Sequence, residues 1–237
     1  MLVRLEDRVV KGSAGGSKRG RSASATPVVH QAPARPEAAL QRRGVARVKA
    51  ILDAAEEVLA ESGYEAATLK AIGERAGIPT PSVYHYFSDR YQVDAAIIKR
   101  HGAALAGVLD GIDSEEFRSV PDLVALVFDP IVAYFRAHPS CVQLWFSGRN
   151  ETLSALVKEF DDRVAERLWR LGIGRGLLRV DTPILVMKLA FEAGGRIFDV
   201  AFQQDRNGDE ATMTEAKRLV TAYLETYAET ITASRGE

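Results

Sequence analysis

Residues 68–87 read TLKAIGERAGIPTPSVYHYF, two short helical runs on either side of a glycine turn. The Thr68 hydroxyl can cap the first exposed amides, and Leu69, Ile72 and Ala76 then fall on one face before Gly77 permits a tight turn. Thr80-Pro81 follows as a cap residue and a proline at the first helical position, where the missing amide hydrogen costs nothing. The second run is short, because Ser88 is a further cap candidate. Two such helices, held across a first amphipathic helix, form a helix-turn-helix. In that geometry the second helix sets its amino-terminal residues into the major groove of DNA. Here these are Thr80, Pro81, Ser82, Tyr84 and His85, small or hydrogen-bonding groups suited to base edges, thymine methyls and phosphates. Val83 and Phe87 are expected to point back into the small core. Tyr84 and Tyr86 in isolation also read as core aromatics. A three-helix unit cannot bury both of them together with His85 and Val83, however, because the four span the whole circumference of the helix.

On the amino-terminal side, apolar residues at 45, 48, 52, 55 and 59 lie on one helical face and Gly63 ends the run, which predicts the first helix. On the other side a longer helix runs from Ser88 to about Leu109, with Val93, Ile97, Ala104, Leu105 and Val108 inward. Beyond Gly111 no segment sustains period-two alternation. Helices are expected near 120–137 (broken or kinked by Pro130), 140–148, 151–171, 183–203 after Thr182-Pro183, and 213–232. The fold class is therefore all-α. A helix-turn-helix domain over residues 41–88 precedes a helical regulatory and dimerisation domain over residues 89–237. Residues 1–40, with Gly12, Gly15, Gly16, Gly20, Pro27, Pro33 and Pro36 among Lys11, Lys18, Arg19 and Arg21, read as a flexible basic arm or an inert linker.

The formal net charge of −1 hides an asymmetry. Residues 1–103 hold 16 Lys and Arg against 11 Asp and Glu, while residues 104–237 hold 15 against 21. A basic first part on an acidic body is the pattern of a polyanion-binding segment. Cys141 is the single cysteine, so no intrachain disulfide forms, which fits a reducing cytoplasm. The most apolar stretch, 184–202, is interrupted by Lys188, Glu192, Arg196 and Asp199, and Met1 to Val10 alternates charge with apolar residues. A cytoplasmic protein without a membrane partner is expected.

From about Val45 to Ile98 the chain resembles the tetracycline-repressor family of transcriptional regulators. The elements that carry the resemblance are Thr68 opening a helix, the Ala76-Gly77 turn, and Ser82-Val83-Tyr84-His85-Tyr86-Phe87 before a polar capping segment. It implies Thr68 and Lys70 at the DNA backbone or an outer base, Thr80, Pro81, Ser82, Tyr84 and His85 at the groove, and Tyr86 completing a backbone clamp. Many relatives place a lysine phosphate contact at the start of the fourth helix; this chain has Arg90, a planar fork in place of a point charge. The function implied is a sequence-specific DNA-binding regulator, more commonly a repressor, that dimerises through its last two long helices. Small residues at Ala190, Ala193, Gly194 and Gly195, and a broad apolar face at Ala216, Leu219, Val220, Tyr223, Leu224, Tyr227 and Ile231, support a homodimer on a pseudo-palindromic operator. The interface candidates are Ala190, Gly194, Leu219, Tyr223 and Tyr227; the alternative is burial of both helices within the monomer.

A pocket between the body helices would draw on Phe128, Tyr134, Phe135, Trp145, Phe146, Phe160, Trp169, Phe191 and Phe198, with Arg149, Asn150 and Arg196 as polar anchors. Each aromatic also reads as ordinary core. The pocket's composition favours a small, mainly apolar effector. No cofactor or metal is expected: His138 and Cys141 sit three apart without a companion pair, and Gly172-Ile173-Gly174-Arg175-Gly176 lacks a phosphate-cradle spacing. An enzyme is not expected. The rival readings are a DNA-organising protein that binds through the basic arm without sequence preference and, less favoured, a helical enzyme.

Overall fold

The computed structural model describes residues 36–146 and 151–229. The chain runs through α1 (Pro36–Ser62), α2 (Leu69–Ala76), α3 (Thr80–Tyr86), α4 (Arg90–Leu109), α5 (Val120–Ala137), α6 (Pro139–Trp145), α7 (Glu151–Gly174), α8 (Ile184–Gln204) and α9 (Glu210–Glu225), with a 3-10 turn at Asp110–Asp113. Among the described residues the only β feature is a single bridge between Leu178 and Ala228, so the all-α expectation holds.

Several boundaries move. The first helix starts at Pro36, inside the stretch expected to be arm; the rest of that arm lies outside the described residues. α1 joins the core only from Val48 onward, through Ile51, Leu52, Ala54, Ala55, Val58 and Leu59, so Val45 has nothing to pack on and is 66% exposed. On α4, Val93, Ile97 and Leu105 are buried as expected, whereas Ala104 and Val108 face solvent. α5 continues through Pro130 without a break. The last helix begins at Glu210 because Asp209 accepts a hydrogen bond from the Thr212 amide at 2.8 Å and so caps it, earlier than apolar spacing alone suggests.

Two apolar clusters organise the molecule. The first gathers Ile51, Leu59, Ile72, Val83, Val93 and Ile97 from α1–α4, and it also takes in Leu144 from α6 and Leu153 from α7. Packing therefore crosses the boundary expected between residues 88 and 89. The second cluster fills the body between α4, α5, α7, α8 and α9, and Trp145 packs against both. A polar latch joins α1 to α4 beside this contact: Arg100 reaches Asp53 at 2.7 Å and, through Nε, Glu56 at 3.0 Å, while His101 Nε2 lies 3.3 Å from Glu56. His101 Nδ1 also meets the Tyr134 hydroxyl at 2.7 Å, which ties the latch to α5.

Candidate nucleic-acid interface and ligand cavity

The local chemistry of residues 68–87 builds the helix pair. The Thr68 side chain accepts from the Ala71 amide at 3.1 Å and opens α2. Gly77 closes it at φ 63°, where the Ile78 amide returns to the Gly73 carbonyl at 2.9 Å and the Gly77 amide to the Glu74 carbonyl at 3.2 Å. α3 is capped by Pro79, whose carbonyl accepts from the Ser82 and Val83 amides. Thr80 is thus the first helical residue and not the cap; Pro81 follows at the second position, where it still lacks no needed bond. At the far end Asp89, not Ser88, caps α4 by accepting from the Gln92 amide at 2.9 Å, and Gln92 Oε1 returns to the Ser88 amide.

This places the expected DNA contacts as follows. Val83 and Phe87 are buried, and Tyr84 is 53% exposed. Pro81, Ser82 and His85 are exposed beside it, while Thr80 and Tyr86 are half-buried. Tyr86 packs partly on the head core and edge-on to His85, at 5.3 Å between ring centroids. Thr68 and Lys70 are exposed at the start of α2, and Lys70 has only a loose contact, 3.9 Å, to Glu74. Arg75, by contrast, is held by Glu57 and Glu61 of α1 at 3.2 and 2.6 Å.

Arg90 differs from the expectation. Its Nε donates to the fully buried Asp94 at 2.8 Å, its Nη1 donates to the carbonyls of Tyr64 and Ala67, and its guanidinium stacks 4.2 Å from the Tyr64 ring centre. The fork geometry that distinguishes arginine from lysine is spent inside the protein. The outward residue of that turn is Tyr91, 57% exposed, which the sequence reading passed over. Gly73 was passed over too: a Cβ there would lie 2.9 Å from the Ile78 carbonyl oxygen and 3.2 Å from Val83 Cγ2, so α2 and α3 approach only because this residue has no side chain. A glycine inside an eight-residue helix is the signal that marks it.

The body holds a cavity of about 210 Å³ between α4, α5, α6, α7 and α8. Eight expected residues line it: Phe128, Phe135, Trp145, Phe146, Phe160, Phe191, Phe198 and Arg196. Tyr134 and Trp169 do not. Tyr134 faces His101 and His138, where burial first, and then the negative charge at Cys141 and Glu56, pushes its phenol up to about 12. Trp169 donates its indole N–H to the Thr182 carbonyl at 2.8 Å. Arg149 and Asn150 lie outside the described residues.

The proposed dimer residues separate. Ala190 and Gly194 line the cavity and are buried within the chain; a Cβ on Gly194 would meet Phe128 at 3.1 Å and Val220 at 3.5 Å. Their small size serves packing of α8 on α5 and α9. Leu219 is exposed, and Tyr223 and Tyr227 are half-buried in an edge-on pair at 5.8 Å. Leu185 and Leu189, one turn apart on α8, are also exposed. Ile231 lies outside the described residues.

Two family models match this chain: the bacterial regulatory proteins of the tetR family over residues 51–97, and the tetracyclin repressor-like C-terminal domain over residues 119–224. The chain is 29% identical over 153 residues to the transcriptional repressor AcnR of Corynebacterium diphtheriae, a match covering 62% of this chain and 75% of that protein. It is 39% identical over 51 residues to the transcriptional activator FasR of Mycolicibacterium smegmatis, covering 22% and 23%. The fold superposes on a TetR-family regulator from Streptomyces coelicolor with a TM-score of 0.61 at 28% identity, covering 76% of this chain and 99% of that one. With its capped helix pair, its outward Tyr84 and its all-helical body matched along both parts, the chain belongs to the tetR family of DNA-binding transcriptional regulators.

Proposed function

We propose that this regulator is a cytoplasmic homodimer that represses transcription from a pseudo-palindromic operator and is released when a small molecule occupies the body cavity. DNA is read by Tyr84, His85, Ser82, Pro81 and Thr80, with Thr68, Lys70, Tyr86 and Tyr91 on the phosphates. Repression is favoured over activation because the relative matched over the longer stretch is a repressor. The dimer face is the exposed apolar side of α8 and α9 at Leu185, Leu189 and Leu219, with Tyr223 and Tyr227 beside it.

The observation that carries release is Trp145. It lines the cavity and packs against the core that holds α3, so filling the cavity bears on the reading head through one side chain. α4 is the second connection, since it starts against the recognition unit and ends in the body core. Coupling of this kind is worth about 1–3 kcal/mol and is reciprocal. The test is calorimetry of a bound ligand with and without operator duplex. The operator should weaken ligand binding by the factor by which the ligand weakens operator binding, and equal affinities would rule that ligand out as an inducer. The tetR family is a family of regulators and not an enzyme class.

A further inference from the structure

The cavity is apolar over most of its wall, yet it is not electrically neutral. Among the described residues four ionisable side chains line it: half-buried Asp161 from α7 and, from α8, buried Asp199 with Glu192 and Arg196 at its solvent-exposed rim. Arg196 and Asp199 answer each other directly, and Gln203 donates a further hydrogen bond to Asp199 at 2.7 Å. Lys188 and Lys158, the lysines of α8 and α7, do not line the cavity and are both engaged with Asp162, at 3.0 and 3.4 Å. Asp161 and Glu192 remain without an ion pair or side-chain hydrogen bond among the described residues. The faces from α4, α5 and α6 supply only apolar groups, among them Leu105, Phe128, Ile131 and Trp145.

We propose that the cavity takes an amphipathic organic cation, an ammonium head on an apolar body, with Asp161 and Glu192 as its counter-charges. This rests on the reading of the cavity as the effector site. It replaces the expected Arg196 anchor, which is already matched by Asp199, and so reverses the sign of the ligand's polar end. Half-buried Asp161, with exposed Glu192 at the rim and aromatic rings alongside, disfavours an anion and offers a cation both charge and ring faces. The electrostatics agree. Burial, then the charges of Glu192 and Asp162 against the opposing Lys158, pushes the Asp161 carboxyl up to about 7. A bound cation requires that carboxyl ionised, so below neutral pH binding must expel a proton.

The test titrates the full chain with three probes sharing one tail: octyltrimethylammonium, octan-1-ol and octanoate. The ammonium is expected to bind about tenfold or more tighter than the alcohol, with octanoate weakest. Because the quaternary head carries no proton, any pH effect on it comes from the protein. Its affinity should rise about tenfold between pH 6 and pH 8 while that of octanol stays flat. Asp161→Asn should remove both the pH dependence and the preference for the ammonium. If that variant fails to fold, Glu192→Gln at the more exposed partner should still weaken the preference. Octanol or octanoate binding as tightly as the ammonium would overturn the proposal while leaving an effector site intact. If none of the three binds, the effector reading of the cavity falls with it.

Discussion

Gly73 and Arg90 hold the shape of the reading head, and neither touches DNA in this account. Gly73→Ala places a methyl against the Ile78 carbonyl and Val83, and should destabilise the protein by about 1–3 kcal/mol in thermal melts. An unchanged melt would mean that α2 and α3 separate freely. Arg90→Met leaves the fully buried Asp94 without its cation and should cost about 3–5 kcal/mol. Lys70→Ala makes the contrast, because an exposed lysine with one loose contact should leave the melt within about 0.5 kcal/mol while operator affinity falls. These residues also mark what was legible in the sequence. The Thr68 cap and the inward Val83 depend on neighbours three or four positions away, and spacing reveals them. Arg90 is claimed by the carbonyls of Tyr64 and Ala67 more than twenty positions earlier, which no local pattern displays.

Among the elements, α4 and its latch to α1 give the head its fixed seat on the body. Burial raises the Glu56 carboxyl, but hydrogen bonds and charges from His101 and Arg100 outweigh it and hold the group below its ordinary value of 4.5. A carboxylate depressed in the folded state contributes stability that is fully present above its unfolded pKa and lost as pH falls through the folded one. Glu56→Gln should therefore lower the melting temperature at pH 7, and the difference from wild type should shrink as pH drops below about 4.5. A difference independent of pH would remove Glu56 from the latch. Helix identity was readable throughout from apolar spacing and glycine stops. Helix ends were less so: Ser88 and Asp89 are adjacent residues that both suit a cap, and before α3 the cap position falls to Pro79, which has no capping side chain, in place of Thr80, which has one; only the folded backbone decides.

For the whole molecule, small residues on α8 show the limit of periodicity. Ala190 and Gly194 announce a close approach, but spacing identifies a face and not whether a partner or the same chain covers it. Here Phe128 and Val220 cover it. Gly194→Leu should accordingly disrupt the cavity, while Leu189→Arg and Leu219→Arg, both at exposed positions, should weaken self-association in sedimentation without lowering the melt of the monomer. In the proposed dimer, engagement of two half-sites would depend on that association. The claim that joins these scales is that outward residues of α3 read DNA from a folded, paired head. It is tested most directly by footprinting the DNA flanking the protein's own coding region at one fixed salt concentration, with wild type and Tyr84→Ala side by side. Wild type should protect a pseudo-palindromic site, and the variant, melting at the same temperature, should need about tenfold or more protein to protect it. Equal protection by the two proteins would contradict the assignment of α3 as the reading helix.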